Sequence, residues 1–122
     1  MTGRRGKRST LLSADVEACG LGGRILWTEG SHPPGTHGSA QPAYILIHGI
    51  GVSHRYLARL HAVLAAGAPT YSLDLPGFAG TPKPGRQLSV EDYGAFIAEA
   101  LKGLRHRVVH PGRTLDGRAV RH

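Results

Sequence analysis

Cysteine is almost missing from this chain: Cys19 stands alone among 122 residues, which excludes an internal disulfide framework and any zinc site built from clustered thiolates. With no cationic neighbour close in sequence, its thiol is expected to be inert. No apolar run approaches the ~20 residues that a bilayer-spanning helix needs, so no membrane partner is expected. The basic start, Met-Thr-Gly-Arg-Arg-Gly-Lys-Arg, has the character of a secretory leader. Asp15 and Glu17 interrupt the apolar segment that would have to follow, so a cytoplasmic protein is expected. Internal repeats are absent as well.

Acidic residues are scarce, 8 against 15 Lys and Arg, for a formal net charge of +7. The distribution matters more than the total. Arg4, Arg5, Lys7 and Arg8 put +4 in residues 1–8, and residues 105–122 carry +4 again through five arginines against Asp116. Residues 9–104 hold six basic and seven acidic side chains and are close to neutral. A nucleic-acid-binding fold concentrates its charge on one folded face, interleaved with aromatic or groove-reading residues, and neither end does so. A short basic nucleic-acid-binding protein is therefore the weaker alternative, and no nucleic-acid partner is expected.

What is present suits one globular domain: 40% hydrophobic and 19% charged residues, with 18 Gly and 8 Pro to make turns. A basic disordered arm is expected over residues 1–10. Two β-like stretches, Leu11–Ala18 and Arg24–Thr28, flank Cys19-Gly20-Leu21-Gly22-Gly23, which predicts an antiparallel opening pair joined by a glycine-rich loop. Residues 30–42 are too rich in Pro and Gly for regular structure. Ala43–Ile47 is a short apolar run of the kind buried on both faces of a parallel sheet. From about His54 to Ala66, Leu57, Leu60, Val63 and Leu64 recur at helical spacing, and Thr70–Leu73 predicts another strand. Ser89 is a candidate helix cap, with Asp92 three residues on. The helix it starts carries Tyr93, Phe96, Ile97, Ala100, Leu101 and Leu104 on one stripe to about Leu104. Arg107-Val108-Val109 begins a further strand. The fold class is thus α/β, with antiparallel opening strands followed by a β-α-β-α-β parallel sheet.

Two strand ends carry the chemistry. The first is His48-Gly49-Ile50-Gly51 and the second Asp74-Leu75-Pro76-Gly77-Phe78-Ala79-Gly80-Thr81. From Tyr44 to Leu104 the chain resembles the N-terminal half of the α/β-hydrolase fold, whose third strand ends in His-Gly-x-Gly and whose fourth ends in Asp-Leu-Pro-Gly-Phe-Gly-x-Ser. The resemblance implies that the Ile50 N–H is one oxyanion-hole donor, in an oxyanion turn made by His48, Gly49 and Gly51. The glycines let the backbone approach a substrate closely. Asp74, Pro76 and Gly77 are read as structural turn residues rather than catalysts. Ser31, Ser53, Ser72 and Ser89 lack a Gly-x-Ser-x-Gly setting, so no catalytic residue is assigned. His54 and His61, seven apart, lack a third ligand and are expected to be solvated; no metal and no cofactor are implied. Strand, Gly49-Ile50-Gly51, helix, strand and Asp74 also outline a Rossmann-like dinucleotide-binding module. Its third glycine would fall at His54, whose side chain would prevent close packing.

In the resembled family, the strand at Arg107 runs on into the Gly-x-Ser-x-Gly elbow and pairs with the third strand. Residues 110–122, with Pro111, Gly112 and several charges, cannot form such a central strand. Permitted codons for these residues, read one nucleotide later, spell Ile-Leu-Val-Gly-His-Ser-Met-Gly-Gly-Gln-Ser-Val, a buried strand and a serine elbow. The expectation is a one-nucleotide shift near Val109 that leaves residues 11–109 as the N-terminal part of an α/β-hydrolase domain and 110–122 as an aberrant, disordered tail. The intact parent is expected to be a serine hydrolase, esterase- or lipase-like, of a small ester or amide substrate. Dehalogenases and epoxide hydrolases of that fold use an Asp nucleophile, whereas the shifted frame spells Ser. The chain itself, lacking nucleophile, acid and base, is expected to be inactive and aggregation-prone.

Overall fold

A computed structural model describes residues 10–30, 33–34, 43–49, 53–106 and 109–116. Of the arm expected over residues 1–10, residues 1–9 lie outside the described residues, as do residues 117–122, while the Thr10 carbonyl accepts the Glu29 N–H at 2.8 Å.

β1 (Leu11–Ala18) and β2 (Leu21–Thr28) form an antiparallel hairpin in register from Leu11 opposite Thr28 to Ala18 opposite Leu21. In β1, Ala14, Val16 and Ala18 face the core while Asp15 and Glu17 face out, the period of two that a one-sided strand requires. The loop is tighter than the sequence suggests. Only Cys19 and Gly20 turn the chain, both at positive φ (54° and 73°), as a two-residue hairpin with native twist demands. Gly22 and Gly23 belong to β2 for a packing reason. A Cβ on Gly23 would lie 2.6 Å from the Asp74 carbonyl oxygen and 2.7 Å from the Phe96 ring, so the glycine admits both the neighbouring strand and the helix above it.

β3 (Tyr44–Ile47) and β4 (Thr70–Asp74) are parallel to each other, and β4 is antiparallel to β2. Every residue of β4 is buried, as befits its place between two strands and two helices. A turn of 3-10 helix at His54–Leu57 leads into α1 (Ala58–Ala65), and α2 (Val90–His106) follows β4. Ser89 and Asp92 cap α2 reciprocally: the Asp92 N–H donates to Ser89 Oγ at 3.1 Å, and the Ser89 N–H to the Asp92 carboxylate at 2.8 Å. The hydrogen bond from Arg86, and after it those of the Ser89 cap, hold the Asp92 carboxyl down to about 2.

The strand order is β3-β4-β2-β1-β5, where β5 is Thr114–Asp116. Two expectations change here. The strand expected from Arg107 is not formed at Val109, which is buried in non-strand backbone and donates its N–H to the Pro34 carbonyl at 3.1 Å; 107 and 108 lie outside the described residues. The third parallel strand comes instead from the segment expected to be disordered. It pairs with β1, at the edge opposite β3. The Gly112 N–H donates to the Ser13 carbonyl, and the Asp15 N–H to the Arg113 carbonyl. Leu115 enters the core at 3% exposure. A segment with Pro111 and Gly112 just ahead of it suits an edge, where half the backbone groups need no partner.

One face of the sheet is apolar. Ile25, Trp27, Tyr71 and Leu73 meet Phe96, Ala100 and Leu104 of α2 there. Gly23→Ala is expected to drive the Phe96 ring off β2 and to destabilise the fold by about 1–3 kcal/mol, the range of core overpacking. Urea unfolding of the two proteins checks it, and an unchanged midpoint would refute the packing role of this glycine.

Candidate functional site

The two motifs meet at the C-terminal ends of β3 and β4. His48 is 4% exposed. Its Nδ1 lies 2.7 Å from the Gly49 carbonyl oxygen, and its Nε2 lies 3.0 Å from the Leu75 N–H. A carbonyl only accepts and an amide N–H only donates, so the proton sits on Nδ1 and the ring is neutral. His48 thus pins the turn after β3 to the turn after β4. Ile50 and Gly51, expected to complete the oxyanion turn, lie outside the described residues, and of that turn only His48 and Gly49, directly after β3, are described.

Asp74 is fully buried and saturated by protein groups. The His54 N–H donates to Oδ1 at 2.7 Å, His54 Nδ1 lies 2.8 Å from Oδ2, and Arg24 Nη1 donates to Oδ2 at 3.1 Å. The same Arg24 nitrogen reaches the Ala79 carbonyl at 2.7 Å. This carboxylate therefore ties β2, the start of the first helical segment and the Pro76–Thr81 turn to the end of β4. A dinucleotide site would need that acid free for a ribose hydroxyl. Here Arg24 and His54 occupy it.

The turn after Asp74 is shaped by its own polar groups. Thr81 Oγ1 accepts the Phe78 N–H at 3.1 Å and lies 2.8 Å from the Leu75 carbonyl, to which it donates. Gly77 and Gly80 sit at positive φ (87° and 82°), and so does Ala79 at 55°. The resembled motif has glycine at this last place; alanine there costs about 1 kcal/mol of backbone strain.

The two histidines expected in solvent are not there. His61 is 3% exposed, with Nδ1 2.7 Å from Ser72 Oγ and Nε2 3.3 Å from Thr28 Oγ1. It faces the sheet where the pattern put Leu60 and Val63, which are instead 45% and 71% exposed. Two hydroxyls on β2 and β4 meet both ring nitrogens, and that pairing outweighs the apolar pattern. Ser72 and His61 are spaced like a nucleophile and its base, but Ser72 is 2% exposed in the middle of a strand and presents nothing to a substrate. Burial, and secondarily the His54 charge, lowers the His61 pKa. Cys19 is exposed at the hairpin tip. Among the described residues, no group of three or more His, Cys, Asp or Glu could hold a metal ion, and no helix is long and apolar enough to cross a membrane.

Replacing Asp74 by alanine strands Arg24 and the His54 N–H, and is expected to cost about 3 kcal/mol, as breaking a buried pair does. A loss under about 1 kcal/mol in urea unfolding would sink the idea that this carboxylate organises the strand ends. The His61 shift fixes a pH dependence. Its folded pKa lies below the unfolded value, so the unfolded chain takes up the proton first and stability falls as pH drops below about 6.5. The urea midpoint should fall between pH 7.5 and 5.5, and His61→Gln, which keeps a hydrogen-bonding side chain, should flatten that slope.

No protein-family model matches the chain, and no curated protein does either. Among solved structures it is similar to the haloalkane dehalogenase DbeA-M1 loop variant from Bradyrhizobium elkanii, with a TM-score of 0.59 and 16% identity over 76% of this chain and 28% of that one. It is also similar to a membrane phospholipase A described as a bacterial virulence factor, with a TM-score of 0.57 and 24% identity over 80% of this chain and 30% of that one. The chain thus spans less than a third of the length of either protein. Both have the α/β-hydrolase fold, and together with the strand order and the two strand-end turns they show that this chain has an incomplete α/β-hydrolase fold.

Proposed function

We propose that the chain is the N-terminal part of a serine hydrolase of this fold, acting in its intact form on a small ester or amide. The observation that carries the reading is the His48 bridge. A neutral buried imidazole fixes the end of β3 against the Leu75 N–H, so that the Gly49-Ile50-Gly51 backbone following it is anchored at its root. In acyl transfer, negative charge grows on the carbonyl oxygen as the nucleophile attacks. An N–H held in place beforehand stabilises that charge without reorganisation. On this reading the Ile50 N–H is one donor, and Asp74 is a positioning residue that fixes the turns rather than a catalytic acid. The nucleophile would be the serine spelled by the shifted frame of residues 110–122, its base a histidine and its orienting acid an Asp or Glu encoded further on. The placement of β5 beside β1 supports the shift, because it leaves the edge of β3, where an elbow strand would pair, without a strand among the described residues.

On this reading the chain alone lacks the elbow serine and the base that would activate it, so purified protein should turn over p-nitrophenyl butyrate no faster than a matched control. The coding DNA past codon 109 should carry, one nucleotide out of frame, an open reading that reaches an Asp and a His. Saturable hydrolysis abolished by a serine-directed phosphonate would overturn the assignment of the present serines as non-catalytic, and a stop codon soon after the elbow in the shifted frame would overturn the parent.

A further inference from the structure

The helix α1 is held to the sheet through one titratable side chain. Among the described residues His61 is the only buried residue of this helix, and Leu57, Leu64 and Ala65 are half-buried. The His61 ring places Nδ1 2.7 Å from Ser72 Oγ on β4 and Nε2 3.3 Å from Thr28 Oγ1 on β2. A neutral imidazole donates to one hydroxyl and accepts from the other, whereas a protonated one only donates, so one hydroxyl then has to turn its hydrogen away. The surroundings supply no counter-charge. On β4, Asp74 shares the face of Ser72 two residues earlier, but Arg24 of β2 and His54 of the 3-10 turn already occupy its carboxylate. On β2, Glu29 follows Thr28 and is exposed. The other charged or titratable groups beside the helix are His54 and Arg55 of the 3-10 turn and Arg59 of α1 itself, all basic. Both ends of α1 are loosely fixed: no side chain caps it at Leu57, and Gly67 follows Ala66 at its C-terminal end.

We propose that α1 is an acid-released latch: protonation of His61 frees residues 58–66 from the sheet while the strands and α2 stay folded. The segment ahead of it stays too, because the His54 N–H and ring are tied to the buried Asp74 carboxylate. Burial, and after it the His54 charge, holds the His61 pKa below its ordinary value in the docked helix, and the freed ring regains that value. The proton therefore favours the freed helix once pH falls below about 6.5, by up to about tenfold for each further unit until the docked ring is itself protonated. The other helix has no such release. Phe96, Ala100 and Leu104 hold α2 to the sheet by apolar contact, which a proton does not alter. The latch is a property of the packing of α1 and does not depend on the reaction proposed above.

Native-state hydrogen exchange on the full chain, at pH 7.5 and 5.5 and across sub-denaturing urea, separates this opening from unfolding of the whole molecule. Amides 62–65, which close the hydrogen bonds of α1, should exchange through an opening that hardly depends on urea. After correction for intrinsic exchange, their protection should fall by up to about tenfold from pH 7.5 to 5.5. Amides of β4 and α2 should exchange only through the urea-sensitive transition. His61→Gln, which keeps a hydrogen-bonding side chain but does not titrate, should leave the protection of α1 equal at the two pH values; if that variant does not fold, the urea and pH dependence of the unaltered protein still decides. Amides of α1 that share the protection and urea slope of α2 at both pH values would overturn the proposal, since the helix would then leave only with the whole fold. So would a urea-independent opening with no acid slope, or one whose slope persists in His61→Gln.

Discussion

The carboxylate of Asp74 is the constraint on which the strand ends depend. It lies at the last residue of β4, wholly out of water, and receives charged or polar donors from two other parts of the chain. A buried carboxylate without partners would be very costly. With Arg24, the His54 backbone and the His54 ring around it, the same charge fixes where β2 passes, where the chain after β3 turns into helix, and how the Leu75–Thr81 loop leaves the sheet. His48 adds a second tie a few ångströms away, its Nε2 3.8 Å from the carboxylate and engaged with the Leu75 N–H. Between them these two side chains fix the backbone at Gly49, His54 and Leu75.

The sheet is two-faced, and the division explains both helices. Under α2, the alternation of β2 and β4 presents Ile25, Trp27, Tyr71 and Leu73, a continuous apolar floor that an amphipathic helix can cover. Toward α1, the same strands present Arg24, Thr28, Ser72 and Asp74, and the helix answers with His61, the segment before it with His54. The hydroxyls of Thr28 and Ser72 and the Asp74 carboxylate on that side are each met by a histidine, so hydrogen bonding, beside the buried Leu26, specifies the face. The consequence is a helix whose apolar residues Leu60 and Val63 turn outward.

The two edges of the sheet are of different kinds. At one, β5 satisfies β1 over three residues and seals Leu115 into the core. At the other, β3, an apolar strand four residues long, ends the sheet among the described residues. A parallel sheet is ordinarily covered on both faces and continued on both sides of its buried strands. Here that pattern holds for β4 and stops at β3.

The sequence by itself determined the opening hairpin, β3, β4, the two helices, the helix cap at Ser89 and the turn after Asp74. Each of these is written in local chemistry: a period of two or 3.6, a capping hydroxyl with a carboxylate three residues on, a glycine where φ must be positive. It also determined that residues 110–122 could not be a central strand. Only the tertiary structure decided that Gly22 and Gly23 lie in a strand, since what they meet is distant in sequence: Pro82 at Gly22, the Asp74 carbonyl and the Phe96 ring at Gly23. It likewise decided that His61 is buried and His54 half-buried, because their partners Ser72, Thr28 and Asp74 lie on strands distant in sequence. The pairing of Thr114–Asp116 with β1 belongs to the same class. A three-residue strand has almost no local signature, and what creates it is the open edge of a hairpin formed about a hundred residues earlier in the chain.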